Sequence, residues 1–169
     1  MKKTYLLMAS LIVVSLLGAC KSGPTAEEEQ QGEVNLSFDT VYSKYESRLI
    51  LDGTTDYVVK NGDMLTRIAR QFYGTERKFG VSNAYFFPLI MLASNDVVQD
   101  PDLIEPGMHL SIPDLQRNLD NPDARQAMKE FFRDIAGVYA QKTRDETRVD
   151  RRTLAEETQH SLLELSEAL

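Results

Sequence analysis

The chain is short of the residues on which several kinds of chemistry depend. It has a single cysteine, Cys20, so no internal disulfide can form. Of its two histidines, His109 sits on an alternating stretch and His160 in a charged helical one. Neither has a cysteine or a third histidine near it, which argues against a metal site. Residues 114–169 show no Ser-centred elbow and no paired-carboxylate pattern in a foldable cleft, so no catalytic centre is expected there and no cofactor is implied. No apolar run reaches the roughly 20 residues that a membrane-spanning helix needs. Basic residues are also the minority: 19 Lys and Arg stand against 26 Asp and Glu, a net charge of −7. Such a surface is poorly suited to nucleic acid phosphates or to anionic lipid head groups.

What is present begins at the first residue. Met1-Lys2-Lys3 is followed by an apolar run from Tyr5 to Leu17 and by the small residues Gly18 and Ala19, the three-part layout of a secretory signal over residues 1–19. The junction Leu17-Gly18-Ala19-Cys20 resembles the lipobox of bacterial lipoproteins. That resemblance implies cleavage before Cys20, acylation of its sulfur and attachment to a bacterial membrane. Each buried CH₂ contributes about 0.8 kcal/mol, so two or three acyl chains anchor almost permanently. A lipidated Cys20 also leaves no thiol for catalysis. The expected location is therefore the cell envelope, exported and facing the periplasm or the surface.

Residues 20–35 are polar and acidic, with Glu27-Glu28-Glu29 at their centre, and read as a flexible tether. Residues 36–56 regain aromatic and aliphatic side chains. Phe38, Val41, Tyr42 and Tyr45 fall at helical spacing, so a short helix with an extended lead-in is expected.

Residues 57–113 carry the clearest pattern. Tyr57-Val58-Val59 is β-rich, Asn61-Gly62 marks a turn, and Asp63 stands where an N-cap is expected. Leu65, Ile68, Ala69 and Phe72 form the apolar stripe of a helix that Gly74 ends. A polar loop follows, then Pro88 at the first turn of a second helix with Leu89, Ile90, Leu92 and Ala93. Asp100-Pro101 and Pro106-Gly107 are turn pairs, and His109 to Ile112 alternates as a strand before Pro113. The order is β-α-α-β, an α+β fold.

These residues, Tyr57-Val58-Val59-Lys60-Asn61-Gly62-Asp63-Met64-Leu65, Ile68-Ala69, Tyr73-Gly74, Asn95 and Asp100 through Pro113, resemble a LysM domain over about a third of the chain. The resemblance implies two helices on one face of a two-stranded antiparallel sheet, and non-covalent binding of N-acetylglucosamine-containing glycan such as peptidoglycan. It places the glycan groove between two loops. Gly62, Asp63, Met64 and Leu65 are on one side; Asp100, Pro101, Asp102, Leu103 and Ile104 are on the other. An acetamido group offers one donor, one acceptor and a methyl, which backbone groups at a glycine-opened turn and aliphatic side chains can meet. Five basic and six acidic residues nearly balance in this stretch, so binding should be nearly insensitive to salt. Family members commonly have Thr where this chain has Met64. The connection from Gly74 to Pro88 is longer than usual, and its Tyr85-Phe86-Phe87 reads as core packing, with an extra hydrophobic clamp as the alternative.

Residues 121–168 form a helical extension. Asn121-Pro122-Asp123 opens a helix, and Ala124, Met128, Phe131, Phe132, Ile135, Val138 and Tyr139 mark an apolar stripe. That stripe needs cover from the 57–113 segment, from residues 34–51 or from a protein partner. Mixed charges from Lys142 to Glu157 indicate a solvated face, and Leu154, Leu162, Leu163, Leu165 and Leu169 leave a thin apolar strip suited to a hairpin or an oligomer contact. The leading expectation is a lipid-anchored, wall-binding protein without catalysis. The alternatives are an envelope adaptor whose LysM-like fold has lost sugar binding, the targeting arm of a wall hydrolase, and small-ion binding by similarity to a cytoplasmic LysM-containing family that senses potassium.

Overall fold

The computed structural model describes residues 36–169. The leader at 1–19, Cys20 and the tether at 20–35 lie outside the described residues.

Ser37 caps helix α1 (Phe38–Tyr45) by accepting the Thr40 amide, and Phe38, Val41, Tyr42 and Tyr45 are buried along one face. The chain then runs extended past Ile50. There the buried Asn118 side chain substitutes for a neighbouring strand, accepting the Ile50 amide and donating to the Ile50 carbonyl, both at 2.9 Å. Strand β1 (Thr55–Val58) pairs antiparallel with β2 (His109–Ile112) in the register Thr55↔Ile112 to Val58↔His109. The sheet has these two strands and turns Tyr57, Leu110 and Ile112 inward.

Between the strands lie helices α2 (Leu65–Tyr73) and α3 (Phe87–Ala93). The first is amphipathic: Leu65, Ile68 and Ala69 are buried, while Arg67 and Arg70 face solvent. Gly74 ends it at φ +88°, a backbone conformation natural to glycine. The long connection to α3 folds on itself. Asn83 donates to the Tyr73 carbonyl at 2.6 Å, and a short 3₁₀ turn at Asn83–Phe86 leads directly into α3. Every residue from Phe86 to Leu92 is buried, so Phe86 and Phe87 are core residues and Tyr85 packs at its edge.

After β2, helix α4 (Leu115–Asp120), capped by Asp114, leads into α5 (Pro122–Asp145), which Asn121 caps through the Asp123 and Ala124 amides. The helical run breaks at Glu146–Arg148, and α6 (Val149–Ala168) returns along α5 as a hairpin. Ser166 donates to the Lys129 carbonyl, and Leu162 and Leu165 are fully buried. The apolar stripe of α5 is covered from two sides. Phe131 meets Tyr42 and Tyr45 of α1, while Phe132 meets Phe86 at 5.6 Å and Tyr139 meets Phe87 at 6.3 Å. Such ring pairs add about 0.5–1.5 kcal/mol each beyond the area they bury. The fold is thus α+β, a two-stranded antiparallel sheet with helices, followed by a helical C-terminal extension. Residues 36–169 form one compact unit with a shared core.

Candidate functional site

The antiparallel register decides which loops meet. Because Val58 at the end of β1 pairs with His109 at the start of β2, the loop leaving β1 and the loop entering β2 emerge from the same end of the sheet. Two further backbone bonds extend the pairing into those loops: the Val59 amide donates to the Met108 carbonyl, and the Gly107 amide to the Val59 carbonyl, both at 2.9 Å.

Each loop contains a tight turn that only its glycine makes comfortable. In the first, the Asp63 amide donates to the Lys60 carbonyl with Gly62 at φ +83°; in the second, the Met108 amide donates to the Glu105 carbonyl with Gly107 at φ +94°. Space around both glycines is open, since a Cβ built on either meets nothing within 4 Å. A ligand can therefore approach the backbone at both turns.

Asp63 does not cap α2, contrary to the expectation from its position. Its Oδ2 accepts the Tyr57 hydroxyl at 2.7 Å and the Lys60 amide at 2.8 Å, so it ties the turn back to β1. The Lys60 amide and the Tyr57 hydroxyl hold its carboxyl below the usual carboxylate range, and the same bond raises the Tyr57 hydroxyl. The residue at the N-cap is Met64, which has no side-chain acceptor for the free amides of the first turn. The Thr common at this place in the family is a good cap.

Leu65 also departs from expectation. It is 3% exposed and faces the core, so its side chain is not available to a ligand. Met64 and Leu103 are the opposite case, 54% and 67% exposed. Among the described residues, large apolar side chains that stand open are Val58, Met64, Val97 and Leu103 in this part of the chain, with Val149 and Leu154 on α6.

The second loop holds a 3₁₀ turn at Pro101–Leu103, which Asp100 caps by accepting the Asp102 amide. Asp100 and Asp102 do not stand free. Lys142 of α5 donates to Asp100 at 2.9 Å and to Asp102 at 3.0 Å. Burial alone would lower the Lys142 ammonium's affinity for its proton, but the two carboxylates outweigh it and the pKa is raised. Pro101 and Ile104, which flank the exposed Asp102 and Leu103, are half-buried. Sequence reasoning missed Lys142, which lay in a stretch of mixed charges typical of a solvated helix face.

The two basic side chains beside the first loop have partners close by. Arg67 donates to the Gly62 carbonyl at 2.9 Å, and the Lys60 ammonium lies over the Tyr57 ring at 5.8 Å. His109 pairs with Asp56 at 3.2 Å and His160 with Glu164 at 3.3 Å; neither belongs to a cluster of potential metal ligands among the described residues.

Comparison with known families supplies the decisive finding: the family model described as LysM domain matches residues 57–84. Residues 57–84 are similar to a LysM domain. The matched stretch covers β1 from Tyr57, the Gly62 turn, α2 and the connection as far as Ala84. Helix α3, the 3₁₀ turn and β2, which complete the sheet around the LysM residues, lie beyond the match. LysM domains are binding and not catalytic modules, and they bind glycans such as peptidoglycan. No curated protein and no solved structure matches the chain.

A separate cleft of about 430 Å³ lies at the opposite end of the sheet, lined in part by Thr55, Tyr73, Asn83, Ile112, Asp114 and Leu115. It is formed by the β1 lead-in, the end of α2 and the start of α4, and includes none of the nine expected glycan residues.

Proposed function

We propose that this protein binds peptidoglycan glycan through the LysM loops and is held at a bacterial membrane by lipid on Cys20. One arrangement carries the glycan reading: Met64 and Leu103, both open to solvent, sit on two glycine-turned loops that leave the same end of the sheet. Met64 and Leu103 cover the sugar face and the acetamido methyl, while backbone groups near Gly62 and the 3₁₀ turn take the amide. The local pairing of the charged side chains supports binding that depends little on salt. Leu65 contributes from beneath by fixing the start of α2.

The lipid anchor is supported by the Leu17-Gly18-Ala19-Cys20 junction and its leader. Metabolic labelling with a fatty-acid analogue should mark the wild type and leave Cys20→Ser unmarked; equal labelling of both would remove the anchor.

The glycan reading is tested by co-sedimentation of residues 22–169 with insoluble peptidoglycan. Wild type should be retained at low and high salt and released by soluble N-acetylglucosamine oligomers. Met64→Asp with Leu103→Asp should weaken retention by about tenfold or more, equivalent to at least about 1.4 kcal/mol, without lowering the melting temperature. Absence of wild-type retention would leave the adaptor reading. In that reading the exposed Val149 and Leu154 on α6 contact a protein partner.

A further inference from the structure

The LysM loops are not supported equally. The first is closed by its own neighbours, since Tyr57, Lys60 and Asp63 all lie within seven residues of one another. The second is closed more lightly: Asp100 accepts the Asp102 amide, but the 3₁₀ turn spans three residues, and short turns of this kind have poor hydrogen-bond geometry and little stability of their own. A further tie comes from 40 residues away. Lys142 reaches from α5 to Asp100 Oδ1 at 2.9 Å, Asp100 Oδ2 at 3.1 Å and Asp102 Oδ2 at 3.0 Å. The same ammonium lies over the ring of Phe38 from α1, at 5.7 Å, and over the ring of Tyr139 from α5, at 5.8 Å. Its side chain is 28% exposed, so the contact is shielded on several sides.

We propose that Lys142 is a positioning residue for the glycan site: by clamping Asp100 and Asp102 it sets the pose of Leu103 on the second loop, so that the C-terminal helices control glycan affinity without touching the glycan. The proposal rests on the glycan reading above. The chemistry is asymmetric. With Lys142 present, two carboxylates share one cation and the turn is drawn onto α5. Without it, two negative groups two residues apart face each other above an aromatic floor, and they relieve the repulsion by swinging outward into water. Leu103 stands between Asp102 and Ile104 and moves with them. Such a loss acts on pre-organisation, because the ligand must then order the loop as it binds.

The test reads the loop and the binding separately, on residues 22–169. Amide hydrogen exchange at residues 102–104 of the unliganded protein is measured beside retention on insoluble peptidoglycan, for wild type, Lys142→Met and Lys142→Arg. Arg133→Met on the exposed side of α5 serves as the control. In Lys142→Met, exchange at 102–104 should accelerate about tenfold while exchange at 60–64 stays unchanged, and retention should weaken about five- to tenfold. Lys142→Arg should recover most of both, and Arg133→Met should change neither. Unchanged exchange in Lys142→Met overturns the clamp. Faster exchange with undiminished retention overturns the positioning role, since the second loop would then not matter to the glycan. Failure of the wild type to be retained overturns the glycan reading itself, and the positioning role with it, and is recognisable because it precedes any variant. If Lys142→Met fails to fold, Asp102→Ala removes one of the clamp's bonds on the exposed side of the turn and is held to the same two readouts.

Discussion

Helices α2 and α3 are near neighbours in the chain and meet opposite environments. In α2, buried Leu65, Ile68 and Ala69 share one face and Arg67 and Arg70 the other, so a single layer beneath it is sufficient. In α3, six consecutive residues from Phe87 to Leu92 are buried, which requires cover all round. The sheet and α2 supply one side. The other is supplied from beyond the LysM residues, where Phe132 meets Phe86 and Tyr139 meets Phe87. The difference teaches that the C-terminal helices complete the core around the LysM domain, while the loop end of the sheet stays open for a ligand.

The largest effect that can break this comparison is truncation. A chain ending at Pro113 leaves one side of α3 and the α1 aromatics without cover, and it should lose its cooperative melting transition by circular dichroism; a sharp transition in the fragment would show that α3 tolerates an exposed outer face. Next, Phe132→Ala should cost about 3–5 kcal/mol in denaturant unfolding, the range for a fully buried aromatic. Phe72→Ala, at the half-buried outer end of α2, should cost clearly less. Equal losses would mean that the two helices are packed alike.

Smaller effects sharpen the account of the open end. Met64→Thr places a hydroxyl at the uncapped start of α2 and should stabilise by about 0.5–1 kcal/mol, measurable as a raised melting temperature; no gain would show that the first-turn amides are already satisfied. The smallest effect concerns acid. The folded-state pKa of Asp63 is lowered, by the Lys60 amide and then by the Tyr57 hydroxyl. Its contribution is therefore fully present above the ordinary carboxylate value of about 4 and is lost as pH falls through the lowered folded value. The stability gap between wild type and Asp63→Asn should be constant above about pH 5 and should close on acidification. A gap that persisted at the acid end would place the effect in packing.

Much of the local architecture is legible because its causes are local. Gly62 and Gly107 announce turns, Pro88 a helix start, Asn121-Pro122-Asp123 another, and the spacing of Leu65, Ile68 and Ala69 a buried face. Asp63 shows where such reading fails. Its position before a helix suits a cap, yet the carboxylate finds closer donors behind it, at Tyr57 and Lys60, because the Gly62 turn folds the chain back toward β1. Leu65 carries two readings, a stripe position from its spacing and a groove position from the resemblance; it is buried, so the spacing and not nearness to the binding motif tells which way the side chain turns.

The sequence by itself determined where the chain turns, which stretches become helix or strand, and that the α5 stripe needs cover, since hydrophobic period, glycine conformation and proline placement act over a few residues. Only the tertiary structure decided that the cover comes from α1, from Phe86 and Phe87 and from α6, that Asn118 stands in for a strand beside Ile50, and that Lys142 meets Asp100 and Asp102. Most of those pairings join residues 40 to 90 positions apart, and a charge or an amide carries no mark of its distant partner until packing has excluded the water that would otherwise solvate it.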